Sequence, residues 1–213
     1  MPPKPSPRAG EPRPPRARRA PIAPTGELRD GFKFRGGRLA LDLPASLAGR
    51  RRDVPQELLA EPRDLGRWLV AAGLATRAPE LTASDVDHAR ELREAIYRIA
   101  TSCVHHQPLA PADRAAVNRW AALPAPAPQL APDGGLAWIG GGVDAMLAAI
   151  ARDAVELFGG TVVDRLRACA GDTCSIIFLD SSRAGHRRWC SMTSCGNKAK
   201  VSEFRRRDRQ AHG

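Results

Sequence analysis

Apolar positions recur at helical spacing through the middle of the chain. The clearest run is LTASDVDHARELREAIYRIATSCVHH, 81–106, where Val86, Ala89, Leu92, Ile96, Ile99 and Cys103 follow at intervals of three, three, four, three and four. Such spacing draws one stripe along a helix and turns it toward a core. Thr82 or Ser84 suits the N-cap, with Asp85 and Asp87 in the first turn. On this stripe Cys103 reads as a small core residue, and His105 and His106 fall at the helix end, where they complement its dipole. A shorter helix is predicted from Pro62, with Leu65, Trp68, Leu69 and Ala72 inward and Gly73 at its end. Another begins at Pro111 and carries Val117, Trp120 and Leu123. A fourth, 142–158, turns Val143, Met146, Leu147, Ile150, Ala154 and Phe158 inward.

Alternation is rarer. GFKFRGGRLALDL, 31–43, places Phe32 and Phe34 on one face, then Leu39, Leu41 and Leu43 on one face after Gly36-Gly37. This predicts a β-hairpin, with Asp42 on its solvent side. Arg50, Arg51 and Arg52 read as a solvated loop. PAPAPQLAPDGGLAWIGGG interrupts the helices, with a turn at Asp133-Gly134-Gly135 and a short strand at Leu136 and Trp138. TVVDRLRA, 161–168, is a short helix or an extended linker. The expected class is therefore mainly α with small β-hairpins (α+β). Its expected units are a Pro/Arg-rich disordered tail at 1–27, a helical domain at 28–160 and a small cysteine-containing domain at 161–213 that ends in a basic helix.

Across 213 residues the formal net charge is +10, which points to a polyanionic partner, with nucleic acid ahead of an acidic membrane surface. No apolar run approaches the roughly 18 residues of a membrane-spanning helix. The N-terminus carries positive charge with no apolar stretch behind it, so no secretory signal is expected and the cytoplasm is the default compartment.

Four of the five cysteines form two equal pairs, Cys169/Cys174 and Cys190/Cys195, each separated by four residues, with 15 residues between the pairs. Clustered thiols in a reducing compartment favour a metal over disulfides. One structural Zn2+ held by four thiolates ranks first. Two disulfides, an iron–sulfur cluster and a redox thiol switch stay open. Ile176–Leu179 is predicted as a strand over the metal, with Trp189 as the second half of a small core and Gly196 allowing an unusual backbone exit. His186 is surplus to a filled site. Cations surround it: Arg183, Arg187, Arg188, Lys198, Lys200, Arg205, Arg206, Arg207 and Arg209. Residues 197–209 read as a helix anchored by Val201 and Phe204, able to carry arginine's bidentate fork to phosphate.

RRWCSMTSCGNKAK resembles the CGNR zinc finger of bacterial stress-induced transcription regulators, in which the finger follows a domain called ABATE. Cys169, Cys174, Cys190 and Cys195 match the metal ligands, Arg188, Trp189, Gly196 and Asn197 the surrounding motif, and Phe178, Asp180 and Ser181 its F-x-D-x-S-like connection. FRGGRLALDL, DLGRWLVAAGL and ARELREAIYRI are similar to the opening elements of ABATE. Lys198 stands at the name-giving arginine, which keeps the cation and loses the fork. Leu43-Pro44-Ala45-Ser46 replaces the usual Asn-Thr continuation.

The resemblance implies a DNA-binding regulator in which the N-terminal domain senses a signal or dimerises, and it adds Asn197 to the contact set. A second expectation is an RNA-binding or ribosome-associated zinc protein, because charge and a zinc knuckle fit both. An enzyme is not expected: there is no Ser-His-Asp arrangement, no Gly-rich phosphate loop and no carboxylate–histidine set at metal spacing.

Overall fold

The computed structural model of the chain describes residues 27–130, 132 and 134–211. The tail expected at 1–27 thus lies, but for Glu27, outside the described residues, as does Asp133 of the expected turn.

The chain opens with a hairpin, β1 (Leu28–Arg29) and β2 (Phe32–Lys33), joined by Asp30-Gly31. Both turn residues have positive φ, 46° and 83°, as a two-residue hairpin of this type requires. The hairpin expected over 31–43 is therefore displaced: its turn precedes Phe32, and Gly36-Gly37 is not its loop. Instead Leu39–Asp42 forms a helical turn, α1, that runs into a 3-10 turn at Leu43–Ser46. The cause is local. A Cβ on Gly36 would lie 2.5 Å from Leu41 Cβ, so glycine lets the chain fold back on α1. Asp42 locks this arrangement by accepting a hydrogen bond from Gly36 N–H at 2.8 Å. It is buried rather than solvent-facing.

Burial pushes the Asp42 carboxyl up to about 7. The native state therefore binds more protons than the unfolded chain between its ordinary pKa of about 4 and about 7, so stability falls as pH rises through that window. Asn at this position keeps an acceptor for Gly36 and carries no charge. Asp42→Asn is expected to match the wild type near pH 4 and to exceed it by about 1–4 kcal/mol at pH 8, read from urea unfolding at the two pH values.

A second hairpin, β3 (Leu47–Ala48) with β4 (Gln56–Glu57), follows. Its loop contains the three arginines, and Arg50 is not merely solvated. It pairs with Glu94 at 2.6 Å and lies over the Tyr97 ring. Arg93, buried, binds Glu57 and Glu94 and ties this hairpin to the helices.

The helices fall as predicted. α2 (Pro62–Ala71) begins with a Glu61/Asp64 capping box and Pro at its start. α3 (Ala83–Val104) begins with a Thr82/Asp85 capping box. α4 (Pro111–Ala121) and α5 (Val143–Gly159) pack with α3. The main core holds Phe32, Phe34, Trp68, Leu92, Ile96, Val117, Trp120, Leu147 and Ile150, and Phe34 stacks on Trp68 at 5.8 Å. Cys103, half-buried, packs against this core as expected. Between α4 and α5, β5 (Ala127–Leu130) pairs with β6 (Leu136–Ile139). No described helix is long and apolar enough to cross a membrane.

The last fifth begins with a 3-10 turn and β7 (Leu166–Ala168), antiparallel to β8 (Ile177–Leu179). It ends in a π-helical turn, Met192–Gly196, continuous with α6 (Asn197–Ala211). This segment is packed onto the helical body. Because side chains alternate along a strand, β8 faces two ways. Ile177 joins Leu41, Ala100, Leu157 and Leu166, whereas Phe178 joins the cysteines and Ala45. Leu179 N–H donates to Gly36 O at 2.8 Å.

Candidate functional site

The two cysteine pairs are carried on the turn after β7 and on the turn that starts α6. Cys169 N–H donates to Ile176 O, and Ala170 N–H to Arg188 O. Each pair is thereby held against the other through backbone. A Cβ on Gly171 would meet Cys174 Cβ at 3.2 Å and Cys195 Sγ at 3.5 Å, so glycine is what lets the first turn close over the second. Ser191, fully buried, caps the π turn by accepting from Ser194 N–H. Gly196 has no positive φ. Its backbone is that of the turn, so the expected unusual exit is absent, and its small size serves packing against Met192.

The four sulfurs lie within 4.8 Å of one another. Cys174–Cys190 and Cys190–Cys195 are each 3.8 Å apart. A tetrahedron with metal–sulfur bonds of about 2.3 Å has edges of about 3.8 Å, so these separations are those of thiolates around one Zn2+. All five cysteines are free. Cys190 N–H points at Cys169 Sγ at 3.4 Å, the sulfur-directed donation that stabilises bound thiolates.

The thiols are electrostatically linked. Hydrogen bonding by the Cys174 and Cys190 thiols pushes Cys169 down, while the resulting thiolate pushes Cys174 and Cys190 up. Four thiolates in this space need a divalent cation, and the ion would displace protons as it binds. His186 is exposed and outside the cluster. The site fits one structural zinc ion: four ligands close it and leave no open position for chemistry.

Asp180 shapes the connection between the pairs. Its buried carboxylate accepts from the N–H groups of Ser182 and Arg187, each at 2.9 Å. Hydrogen bonding by Ser182 and then Arg187 holds it down at about 2. Ser182, not Ser181, is thus the serine the aspartate engages.

The expected contact cations fall into two groups. Arg187 is occupied: its guanidinium donates to the carbonyls of Trp189 and Cys190 and stands 5.0 Å from the Phe178 ring. Arg206 and Arg207 both pair with Glu203. Arg183, Arg188, Lys198, Lys200 and Arg205 are exposed, and no carboxylate pairs with them among the described residues. Arg188 lies over the Trp189 ring at 4.9 Å. Asn197 is exposed at the start of α6, donating to Thr193 O. The side chain of Arg209 lies outside the described residues. Val201 and Phe204 do not anchor α6. They are 49% and 71% exposed, so the helix turns them to solvent instead of packing them on the finger.

One cluster was illegible in sequence. Asp85, His88 and Asp144 bring three ligand atoms within 4.8 Å of one another, a grouping made in space and not by sequence spacing. The residues come from α3 and from the first turn of α5, 56 positions further on, so spacing could not reveal them. Asp85 is committed to the Thr82 cap, and the His88 ring packs edge-on against Trp120.

A family model for ABATE, described as "Putative stress-induced transcription regulator", matches residues 37–161. A model for the CGNR zinc finger matches residues 165–208. No curated protein matches the chain.

Proposed function

Because the chain belongs to the ABATE family and carries a CGNR zinc finger, we propose that it is a cytoplasmic, stress-responsive transcription regulator whose finger binds duplex DNA. Its N-terminal unit takes in the signal or pairs two chains. Neither matched family is described as an enzyme. One contrast carries the reading. Many arginines of the helical body are matched to carboxylates, as in Arg38–Asp153, Arg93–Glu57 and Arg98–Asp113. Around the metal, Arg183, Arg188, Lys198, Lys200 and Arg205 have no such match among the described residues. The exposed Phe204 between them suits a base edge or methyl group better than water. Zinc fixes the backbone that bears Arg188 and Lys198, so these charges reach phosphate with little ordering cost.

The test is a triple variant, Arg188→Gln/Lys200→Gln/Arg205→Gln. None of the three side chains donates a hydrogen bond to the described residues, so the fold is expected to persist. Duplex binding is expected to weaken, and the slope of log K against log salt to flatten by about 3, near 0.9 per lost phosphate contact. Fluorescence anisotropy at several salt concentrations reads both. An unchanged slope would remove the finger from the interface, and stronger competition by structured RNA than by duplex DNA would move the protein to RNA.

A further inference from the structure

A cavity of about 350 Å³ lies where the finger meets the N-terminal hairpins. Its walls come from three places: β2 and the β3–β4 hairpin, the turn between Cys169 and Ile176, and the first turns of α6. Four cations line it, Lys33, Arg35, Arg52 and Lys198, against one carboxylate, Asp172, and the zinc-site sulfurs of Cys174 and Cys195, whose negative charge the metal partly offsets. Lys33, Arg52 and Lys198 have no carboxylate partner among the described residues. Arg35 is more telling. Its side chain is only 11% exposed, its Nε is 3.4 Å from the Glu27 carboxylate, and yet that buried N–H makes no hydrogen bond. A buried donor left in this state costs free energy unless something accepts from it. Ser175 and Ser202 add hydroxyls to the walls. Like charges gathered around a concave, partly enclosed space repel one another in the empty state and are relieved by an anion.

We propose that this cavity binds a small molecule carrying a multiply charged oxyanion, a phosphate monoester or a diphosphate. The ligand would bridge Lys33, Arg35 and Arg52 of the N-terminal unit to Lys198 of α6. Occupancy would thus be read directly by the first turn of the proposed DNA-contacting helix. The consequence for DNA rests on the regulator reading, whereas the cavity itself does not.

The probes are pyrophosphate and inorganic phosphate, titrated calorimetrically at constant ionic strength into the zinc-loaded full chain, with acetate as control. One saturable site is expected, tighter for pyrophosphate and absent for acetate. Lys33→Gln/Arg52→Gln changes two side chains without carboxylate partners and is expected to weaken pyrophosphate binding about 100-fold, about tenfold per charge-assisted contact. The Arg188→Gln/Lys200→Gln/Arg205→Gln variant is expected to bind pyrophosphate like the wild type. Lys33→Gln/Arg52→Gln is expected to keep duplex DNA affinity when no pyrophosphate is present. Wild-type pyrophosphate binding by Lys33→Gln/Arg52→Gln overturns the assignment. So does parallel loss of DNA affinity in that variant, because the cavity would then be part of the nucleic-acid groove. If the wild type binds no DNA while pyrophosphate binding still depends on Lys33 and Arg52, the cavity stands and the regulator reading falls.

Discussion

Cys190→Ser is expected to abolish stoichiometric zinc binding and to unfold the finger while the helical body stays folded. Cys190 is fully buried and central: its sulfur is 3.8 Å from those of both Cys174 and Cys195, and its N–H meets Cys169 Sγ. Serine offers a poor zinc ligand and leaves a hydroxyl among sulfurs and the Phe178 ring. The core here is only Ala45, Ile176, Phe178 and the cysteines, with Trp189 partly buried beside them. So small a core cannot hold the turns alone, and metal binding supplies on the order of 10 kcal/mol of their folding free energy. The main core between α2 and α5 shares no residue with this cluster. Limited proteolysis should therefore cut between 169 and 211 in the variant and spare 62–159, with most helical circular dichroism retained. A variant as protease-resistant as the wild type, with one zinc bound, would contradict this.

Phe178→Ala is expected to cost about 3–5 kcal/mol, the usual range for a buried aromatic truncated to alanine. Phe178 is fully buried, under the Arg187 guanidinium and against Cys169, Cys190 and Ala45. It is the ring through which the metal centre touches the 3-10 turn of the N-terminal unit. Its neighbour Ile177 packs on the opposite side, with Leu41 and Ala100. Removing the ring is therefore expected to speed zinc release to a chelator as well as to lower the urea midpoint. Arg187→Ala should act in the same direction and more weakly, since its donors hold Trp189 O and Cys190 O. If Phe178→Ala lowers stability but leaves the zinc release rate unchanged, the ring is packing alone and does not support the metal.

How much of this was legible in the chain depends on the range of the interaction that decides it. The α3 stripe and the Thr82 cap are local, and pattern alone finds them. The cysteines are legible because metal geometry demands both the residue type and the paired turns. The 39–46 stretch misleads because Leu-Ala-Leu-Asp-Leu alternates like a strand. What bends it into helical turns is the missing Cβ of Gly36 and the Asp42 bond to Gly36 N–H, neither of which alternation records. The Asp30-Gly31 turn, by contrast, was open to reading, since Asp-Gly is the strongest short hairpin signal. Val201 and Phe204 have helical spacing but no surface to meet, and a stripe does not say whether a partner face exists. The cation-lined cavity is assembled from segments between Lys33 and Ser202, so no window of sequence contains it.

Zinc fastens the finger and thereby fixes the cations that it presents. Metal analysis by inductively coupled plasma mass spectrometry, on chain purified without added metal and dialysed against a weak chelator, tests this most directly. One zinc per chain, with Cys169, Cys174, Cys190 and Cys195 all protected from a thiol reagent until the metal is removed, is the predicted result. A chain free of zinc, with those four thiols reactive or oxidised to disulfides and the finger still folded, would contradict it.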